Sequence, residues 1–289
     1  MSHNSESRVD ANSVCYRHPN RHSYVLCQRC GRTICGECQT PAAVGVVCPE
    51  CLREQRANRT PSQKRAQSWA ARGAATGIFS SVTNVLIVVT VFVFILQLVF
   101  RPQVTEALQY AGLYSTPYMF EPWRMITSIF THSTSFFLHV FLNMYTLWIF
   151  GRALEQMLGR WLFLTLYLAS GLAGSLAVMF LSDPRVPVVG ASGAIFGVMA
   201  AFVVIQRRMG NQMRSLLVLL ALNLAIGFIP GTSIAWQAHL GGVIGGALIG
   251  LIVFENRAVS QRRRLWTWLI ALCTILVLLS FTWLVFPPF

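Results

Sequence analysis

Seven separate apolar runs constrain this chain more than any other feature. A helix needs about 20 mostly apolar residues to cross the hydrocarbon core of a bilayer. The runs extend from Val82 to Phe100, Phe136 to Phe150, Trp161 to Leu181, Gly190 to the residue before Arg207, Leu216 to Ile229, Ile234 to Phe254, and Leu265 to Phe286. Only 11% of the residues are charged, about half the share usual in a soluble domain. This composition argues against a disordered chain and against an ordinary soluble enzyme. Within hydrocarbon, backbone polar groups must be satisfied inside each segment. The expected fold class is therefore an all-α membrane protein, with its spans arranged as six plus one.

The cations divide the loops into two sets. With the N-terminus in the cytoplasm, the interior loops carry Arg152, Arg160, Arg207, Arg208, Arg214, Arg257, Arg262, Arg263 and Arg264, and the exterior loops carry Arg101, Arg124 and Arg185. Nine against three follows the positive-inside rule. The first 72 residues add 11 cations to the same side. A multi-pass protein of the plasma membrane is expected, with the N-terminus cytoplasmic and the C-terminus outside. No apolar h-region precedes the first span, so no cleavable signal peptide is expected. The net charge of +13 is absorbed by arginines that set topology and lie near anionic headgroups. The lipid bilayer is the expected partner, and no nucleic acid is.

The polar head has its own chemistry. Residues 1–14 read as a disordered tail and residues 15–51 as a small domain holding seven of the eight cysteines. Its pattern is Cys15-x2-His18, Cys27-x2-Cys30, Cys35-x2-Cys38 and Cys48-x2-Cys51. Each two-residue gap lets a pair of side chains converge on one ion, and eight ligands make two tetrahedral structural zinc sites. The opposing reading, a set of disulfides, would place the head outside; the reducing cytoplasm agrees with thiolates instead. Metal would hold the head together, because it has too little apolar sequence for a core. The head is expected to dock or regulate, through a cytoplasmic protein partner. It resembles a B-box-type zinc finger. That resemblance implies cross-braced ligation, with Cys15, His18, Cys35 and Cys38 on one ion and Cys27, Cys30, Cys48 and Cys51 on the other; spacing alone leaves sequential pairing open. His22 is a spare ligand, expected to face solvent. Cys273 lies in the last span and reads as packing. Residues 52–77 read as a linker, whose Arg-, Gln- and Ala-rich part could also lie on a surface as a helix.

Polar side chains inside a bilayer are costly and mark function. His139 and Asn143 stand four apart in the second run, on one helix face. Ser192 sits in Gly190-Ala191-Ser192-Gly193, with Gly197 beyond it; His239 sits in Ala238-His239-Leu240-Gly241-Gly242. Gly242, Gly246 and Gly250 recur every four residues, a small-residue face for close helix contact. The second, fourth and sixth runs all begin at the outer side, so His139, Asn143, Ser192 and His239 fall at similar shallow depth. Gln97 and Asn223 complete the polar set. The alternative for the serine is a bond to its own helix backbone, and for the glycines simple packing.

Residues 78–255 resemble the rhomboid intramembrane serine proteases. The likeness is carried by Trp123-Arg124, His139-x3-Asn143, Gly151-Arg152 with Glu155, Gly190-x-Ser192-Gly193, and Ala238-His239 with Gly242 and Gly246. A zinc-finger-like head on such a core resembles a variant of the family seen in actinobacteria. The resemblance implies a six-helix rhomboid bundle, with residues 256–289 adding a cytoplasmic loop and a seventh span. It implies Ser192 as nucleophile and His239 as general base. It implies an oxyanion hole made by the Ser192 N–H and the side chains of His139 and Asn143. Trp123 and Arg124 belong to the interfacial first exterior loop. The resemblance implies that Phe196 packs against the His239 ring, where many relatives have Tyr, and that Gly190, Gly193 and Gly242 support the site. His132 stands seven residues before His139, a longer gap than is usual in the family, and its role stays open.

A serine hydroxyl needs a base within hydrogen-bond reach. The acids of the core, Glu106, Glu121, Glu155, Asp183 and Glu255, read as loop or span-end residues. A Ser–His dyad is therefore expected, with packing in place of the third member of a triad. An aspartyl mechanism needs two aspartates within spans, and a metalloprotease needs an H-E-x-x-H helix; the sequence has neither. No cofactor is expected for catalysis. The substrate would be a transmembrane protein, cut near the outer face where small or helix-breaking residues let it unwind. The alternative function is a catalytically silent rhomboid-like protein that binds clients, with the head as adaptor. A membrane scaffold acting through the head alone is a third.

Overall fold

Apolar side chains deny the backbone its water, and the long runs answer by closing their hydrogen bonds into helices. The computed structural model describes residues 14–41, 45–58, 81–229 and 234–288. The chain divides into two units between Ala75 and Thr76. Most of the expected tail and linker, and the Pro230-Gly231 stop, lie outside the described residues.

The first unit has short elements around its cysteines. Strand β1 (Val14–Cys15) pairs antiparallel with β2 (His18–His22), and β3 (Thr40–Pro41) pairs with β4 (Val46–Val47). A 3-10 turn covers Gly36–Cys38. Helix α1 (Pro49–Ala57) starts with proline in its first turn, where a missing N–H costs nothing, and Cys48 Sγ accepts from Cys51 N at its N-cap. This helix runs into the segment expected as linker, which here begins no earlier than Asn58. The buried core consists of Ile34 and six cysteines, with Tyr16, Val46 and Val47 packed against it.

In the second unit α2 (Val82–Val99) comes first, with Ser81 as N-cap. Helix α3 (Gln103–Leu108), a 3-10 turn at Gly112–Ser115, α4 (Arg124–Thr127) and a 3-10 turn at Ser128–Phe130 form an irregular segment. Next come α5 (Phe137–Thr146), a π-turn at Leu147–Gly151, and α6 (Arg152–Leu158), which make one continuous helical run. The remaining helices are α7 (Arg160–Leu181), α8 (Ser192–Arg208), α9 (Arg214–Ile226), α10 (Trp236–Glu255), α11 (Arg262–Ser280) and α12 (Thr282–Val285).

Among the described residues four helical stretches are long and apolar enough to cross a membrane: Val82–Val99, Arg160–Leu181, Trp236–Glu255 and Arg262–Val285. The other three expected spans are helical but differ in length. The second is carried past its apolar run by α6. The fourth loses its first two residues because Gly190 has a φ of +130°, which no α-helix contains. The fifth is a 13-residue helix.

Burial separates centre from periphery. In α7, 67% of the span window is buried, against 28% for α2 and 22% for the last stretch. Helices α7, α8 and α10 pack most closely on one another. The α8–α10 contact is backbone against backbone. A Cβ on Gly242 would run into the Gly193 carbonyl, and one on Gly246 into the Gly197 carbonyl. The last stretch packs on the irregular segment through Trp283, whose ring would lie 2.6 Å from a Cβ on Gly112.

Gly246→Ala forces the two helices apart and should lower the thermal midpoint of the detergent-solubilised protein, at a cost of about 1–3 kcal/mol. Gly250→Ala places its carbon 3.0 Å from Ala201 Cα and should cost less; equal midpoints for both variants and the wild type would contradict this packing.

Candidate active site

Ser192 is the first residue of α8. The positive φ of Gly190 turns the chain sharply before it. The two preceding amides are already engaged, Gly190 N with Ser128 O at 3.0 Å and Ala191 N with His132 Nε2 at 3.4 Å. Among the described contacts the Ser192 N–H has no acceptor, so it stands open at a helix N-terminus, where partial positive charge gathers.

His239 lies in the first turn of α10. Close contact of Gly193 with the Ala238 carbonyl, where a Cβ would sit at 3.0 Å, seats the two helix starts together. The result is a 2.9 Å hydrogen bond between Ser192 Oγ and His239 Nε2. His239 is 8% exposed. Its ring stacks on Phe196, with centroids 4.1 Å apart and planes 8° from parallel. Its Nδ1 is buried without a hydrogen-bond partner among the described residues. The arrangement is a serine–histidine pair whose imidazole is held by a ring, not by a carboxylate.

His139 faces this place from α5, and Asn143 stands one turn further along the same helix. A Cβ on Gly190 would lie 2.9 Å from His139 Nε2 and 3.7 Å from Ser192 Oγ, so the bare glycine keeps open the space between them. Asn143 is buried, and its Nδ2 donates to His139 O at 2.7 Å, which leaves one amide hydrogen for another acceptor. The structure thus brings together Ser192, His239, His139, Phe196, Gly190, Gly193 and Gly242.

The irregular segment between α2 and α5 is organised by Arg124, 8% exposed. Its guanidinium donates to Glu121 Oε2 at 2.6 Å and to the Glu106 and Gln109 carbonyls, and lies over the Tyr114 ring. Trp123 is largely exposed. Glu155 is a buried acid whose carboxylate is engaged by the start of α2: it accepts from Ser81 Oγ, Val82 N, Thr83 N and Thr83 Oγ1 at 2.6–2.9 Å. It caps α2, whose first amides have no helical acceptor. Sequence reasoning gave no role to Gln97, which is fully buried and brackets the His132 backbone. A lone buried amide in an apolar run was the available signal.

The head presents two clusters that could hold metal ions: Cys15, His18, Cys35 and Cys38, and Cys27, Cys30, Cys48 and Cys51, each with its ligand atoms within 4.8 Å of one another. This is the cross-braced pairing. The spacings suit a tetrahedral ion. His18 Nδ1 lies 3.3, 3.4 and 3.8 Å from the Sγ atoms of Cys35, Cys38 and Cys15, and Cys30 Sγ lies 3.8 Å from Cys48 Sγ. Metal–sulfur bonds of about 2.3 Å in a tetrahedron put sulfurs about 3.8 Å apart. Burial, with neighbouring thiols adding to it, pushes Cys38 up to about 11 and Cys51 up to about 12. Burial also raises Cys15 and Cys27, but backbone N–H donors outweigh it and bring both down to about 6. Crowded thiols without a cation cannot all ionise; a dication would let them. His22 and Cys273 lie outside both clusters.

Fold and site together define a multi-pass helical membrane protein with a serine–histidine pair at its helix starts. A family model, the Rhomboid domain, matches residues 119–256. RHOMBOID-like protein 5 of Arabidopsis thaliana is 37% identical over 143 residues, 46% of this chain and 44% of that protein. Rhomboid protease GluP of Bacillus subtilis is 38% identical over 150 residues, 50% of this chain and 29% of its own length. The rhomboid protein YdcA of Bacillus subtilis is 35% identical over 143 residues, 47% of this chain and 70% of its own length. The chain belongs to the rhomboid family. It spans under half the length of the first two relatives.

A strong chelator applied to the purified chain should expose the head thiols to maleimide and remove amide-exchange protection from residues 14–58, as read by mass spectrometry. Thiols that label equally with and without chelator, or that are found as disulfides, would contradict the metal clusters.

Proposed function

We propose that this protein is an intramembrane serine protease that cleaves transmembrane proteins near the outer membrane face. The observation that carries the proposal is the 2.9 Å contact between Ser192 Oγ and His239 Nε2, beside an unoccupied backbone donor. His239 takes the Ser192 proton as Oγ bonds to the scissile carbonyl carbon. The carbonyl electrons move onto oxygen, where the Ser192 N–H and the side chains of His139 and Asn143 receive them. His239 then gives its proton to the departing amine nitrogen. A water molecule attacks the acyl ester with His239 again as base, and Ser192 is restored. Each oxyanion donor in a site of this kind contributes roughly 3 kcal/mol to the transition state. Phe196 does the positioning work that a carboxylate does in a triad.

The substrate is a transmembrane helix whose bond must leave its helical hydrogen bonding before attack. Segments with small or helix-breaking residues near the outer end satisfy that requirement. The cation distribution supports a plasma-membrane protein with its N-terminus in the cytoplasm and its last span ending outside. In the head, two zinc ions fit the ligand chemistry: soft thiolates with one imidazole, in closed tetrahedra that leave no open position. Such ions are structural, and the reaction needs no metal.

Treating the protein in lipid with a serine-directed phosphonate should label the wild type once, at Ser192. Labelling should vanish in Ser192→Ala and His239→Ala, and Asn143→Ala should slow it by about 100- to 1000-fold, the range for loss of one oxyanion donor. A folded wild type that takes no label, or equal labelling in Ser192→Ala, sinks the proposal.

A further inference from the structure

Two buried polar side chains remain without a task in this mechanism, and they are joined. Gln97 on α2 is fully buried in a run that is otherwise almost entirely apolar. Its amide makes a two-point bracket on one backbone unit 35 residues away: Nε2 donates to His132 O at 3.0 Å, and Oε1 accepts from His132 N at 2.9 Å. A further Nε2 bond goes to Thr105 Oγ1 at 2.9 Å. All of the hydrogen-bonding hydrogens of that amide are thereby used, which fixes its orientation. His132 is also fully buried. What Gln97 holds, then, is the backbone from which the His132 ring projects.

The ring touches His139 and the amide just before Ser192. Its Nε2 accepts from Ala191 N at 3.4 Å, one residue before the nucleophile. Its face meets the His139 ring, with centroids 5.0 Å apart and planes at 59°. The next residue, Ser133, donates its N–H to His139 Nδ1 at 3.4 Å. In a neutral imidazole that assigns the proton to Nε2, the nitrogen beside Gly190 and Ser192. Ser128, at the start of the same stretch, accepts from Gly190 N. The stretch from Ser128 to Ser133 thus occupies the amides of Gly190 and Ala191, leaves that of Ser192 free, and sets which nitrogen of His139 donates.

We infer that His132, clamped by Gln97, is a positioning residue that aligns the Ser192 amide and the His139 side chain as one oxyanion hole. The inference rests on the protease reading for its kinetic consequence, while its geometry stands apart from it. An oxyanion hole works only when its donors sit about 3 Å from where the charge develops. The donors here come from two helices, α5 and α8, and neither His139 nor Ser192 bonds the other's helix. The His132 side chain contacts His139 on one and the N-cap Ala191 of the other, and Gln97 on α2 holds its backbone.

The test uses the full chain in lipid vesicles, with a model transmembrane substrate and with the histidines labelled by nitrogen-15. His132→Phe keeps ring volume but removes the acceptor for Ala191 N. Its kcat should fall about 10- to 100-fold, the scale of a small misplacement in a catalytic site, with KM within about twofold. His132→Gln restores an acceptor and should recover part of kcat. Gln97→Ala should lower kcat in the same way and shift or broaden the His139 ring signals, a readout that does not depend on cleavage. If His132→Phe fails to fold, Thr105→Val loosens Gln97 alone and should lower kcat a few-fold at constant KM. Wild-type kcat in the folded variants overturns the inference. So does a loss that matches the drop in thermal stability and is not rescued by Gln. A wild type that cleaves nothing, yet whose His139 signals move in Gln97→Ala, would end the protease reading and leave the positioning intact.

Discussion

Everything at the site depends on how closely two helices approach. Ser192 and His239 stand 47 residues apart in the chain, on α8 and α10, and only the contact of those helices brings them together. Glycines let the backbones touch: Gly193 against Ala238, Gly242 against Gly193, and Gly246 against Gly197. In hydrocarbon there is no hydrophobic drive to press helices together, so close van der Waals packing of small residues supplies the association. The same contact sets the 2.9 Å hydrogen bond. Stability and the proposed chemistry therefore share one surface.

Around that surface several buried polar side chains end in backbone groups. Glu155 takes the first amides of α2, Arg124 takes carbonyls of the irregular segment, Ser175 Oγ donates to Met125 O at 2.8 Å, and Gln97 brackets His132. An unsatisfied backbone group is expensive where no water reaches, and these side chains remove the cost while pinning the irregular segment between α2 and α5. The last span contributes through shape instead, with Trp283 seated over Gly112 and against Phe180.

Much of this was legible in the sequence, for physical reasons. Apolar runs declare helices because the bilayer leaves no other choice. Polar residues in those runs stand out because they are costly, and Ser192, His239 and His139, expected at one depth, do meet, while Asn143 bonds the backbone of its own helix. Less was legible where a partner is distant and its identity is backbone. Nothing in the spacing joins Gln97 to His132, or Glu155 to Ser81, since a main-chain amide has no sequence signature. Helix lengths were blurred for a similar reason: apolar composition does not record that α8 starts only after the turn at Gly190, or that α6 continues α5. In the head, the two-residue gaps gave the ligand pairs, but spacing could not decide which pairs combine. The fold decides it, by bringing residues 35–38 beside residues 15–18.

The account stands or falls on whether Ser192 cuts a peptide bond inside a membrane helix. The direct measurement is mass spectrometry of a model transmembrane substrate co-reconstituted in vesicles with the wild type or with Ser192→Ala. The account predicts two fragments from the wild type, with the cut near the outer end of the substrate helix, and an intact substrate with the variant. An intact substrate with a folded wild type across a panel of helices carrying small or helix-breaking residues, or equal cleavage by Ser192→Ala, would contradict it.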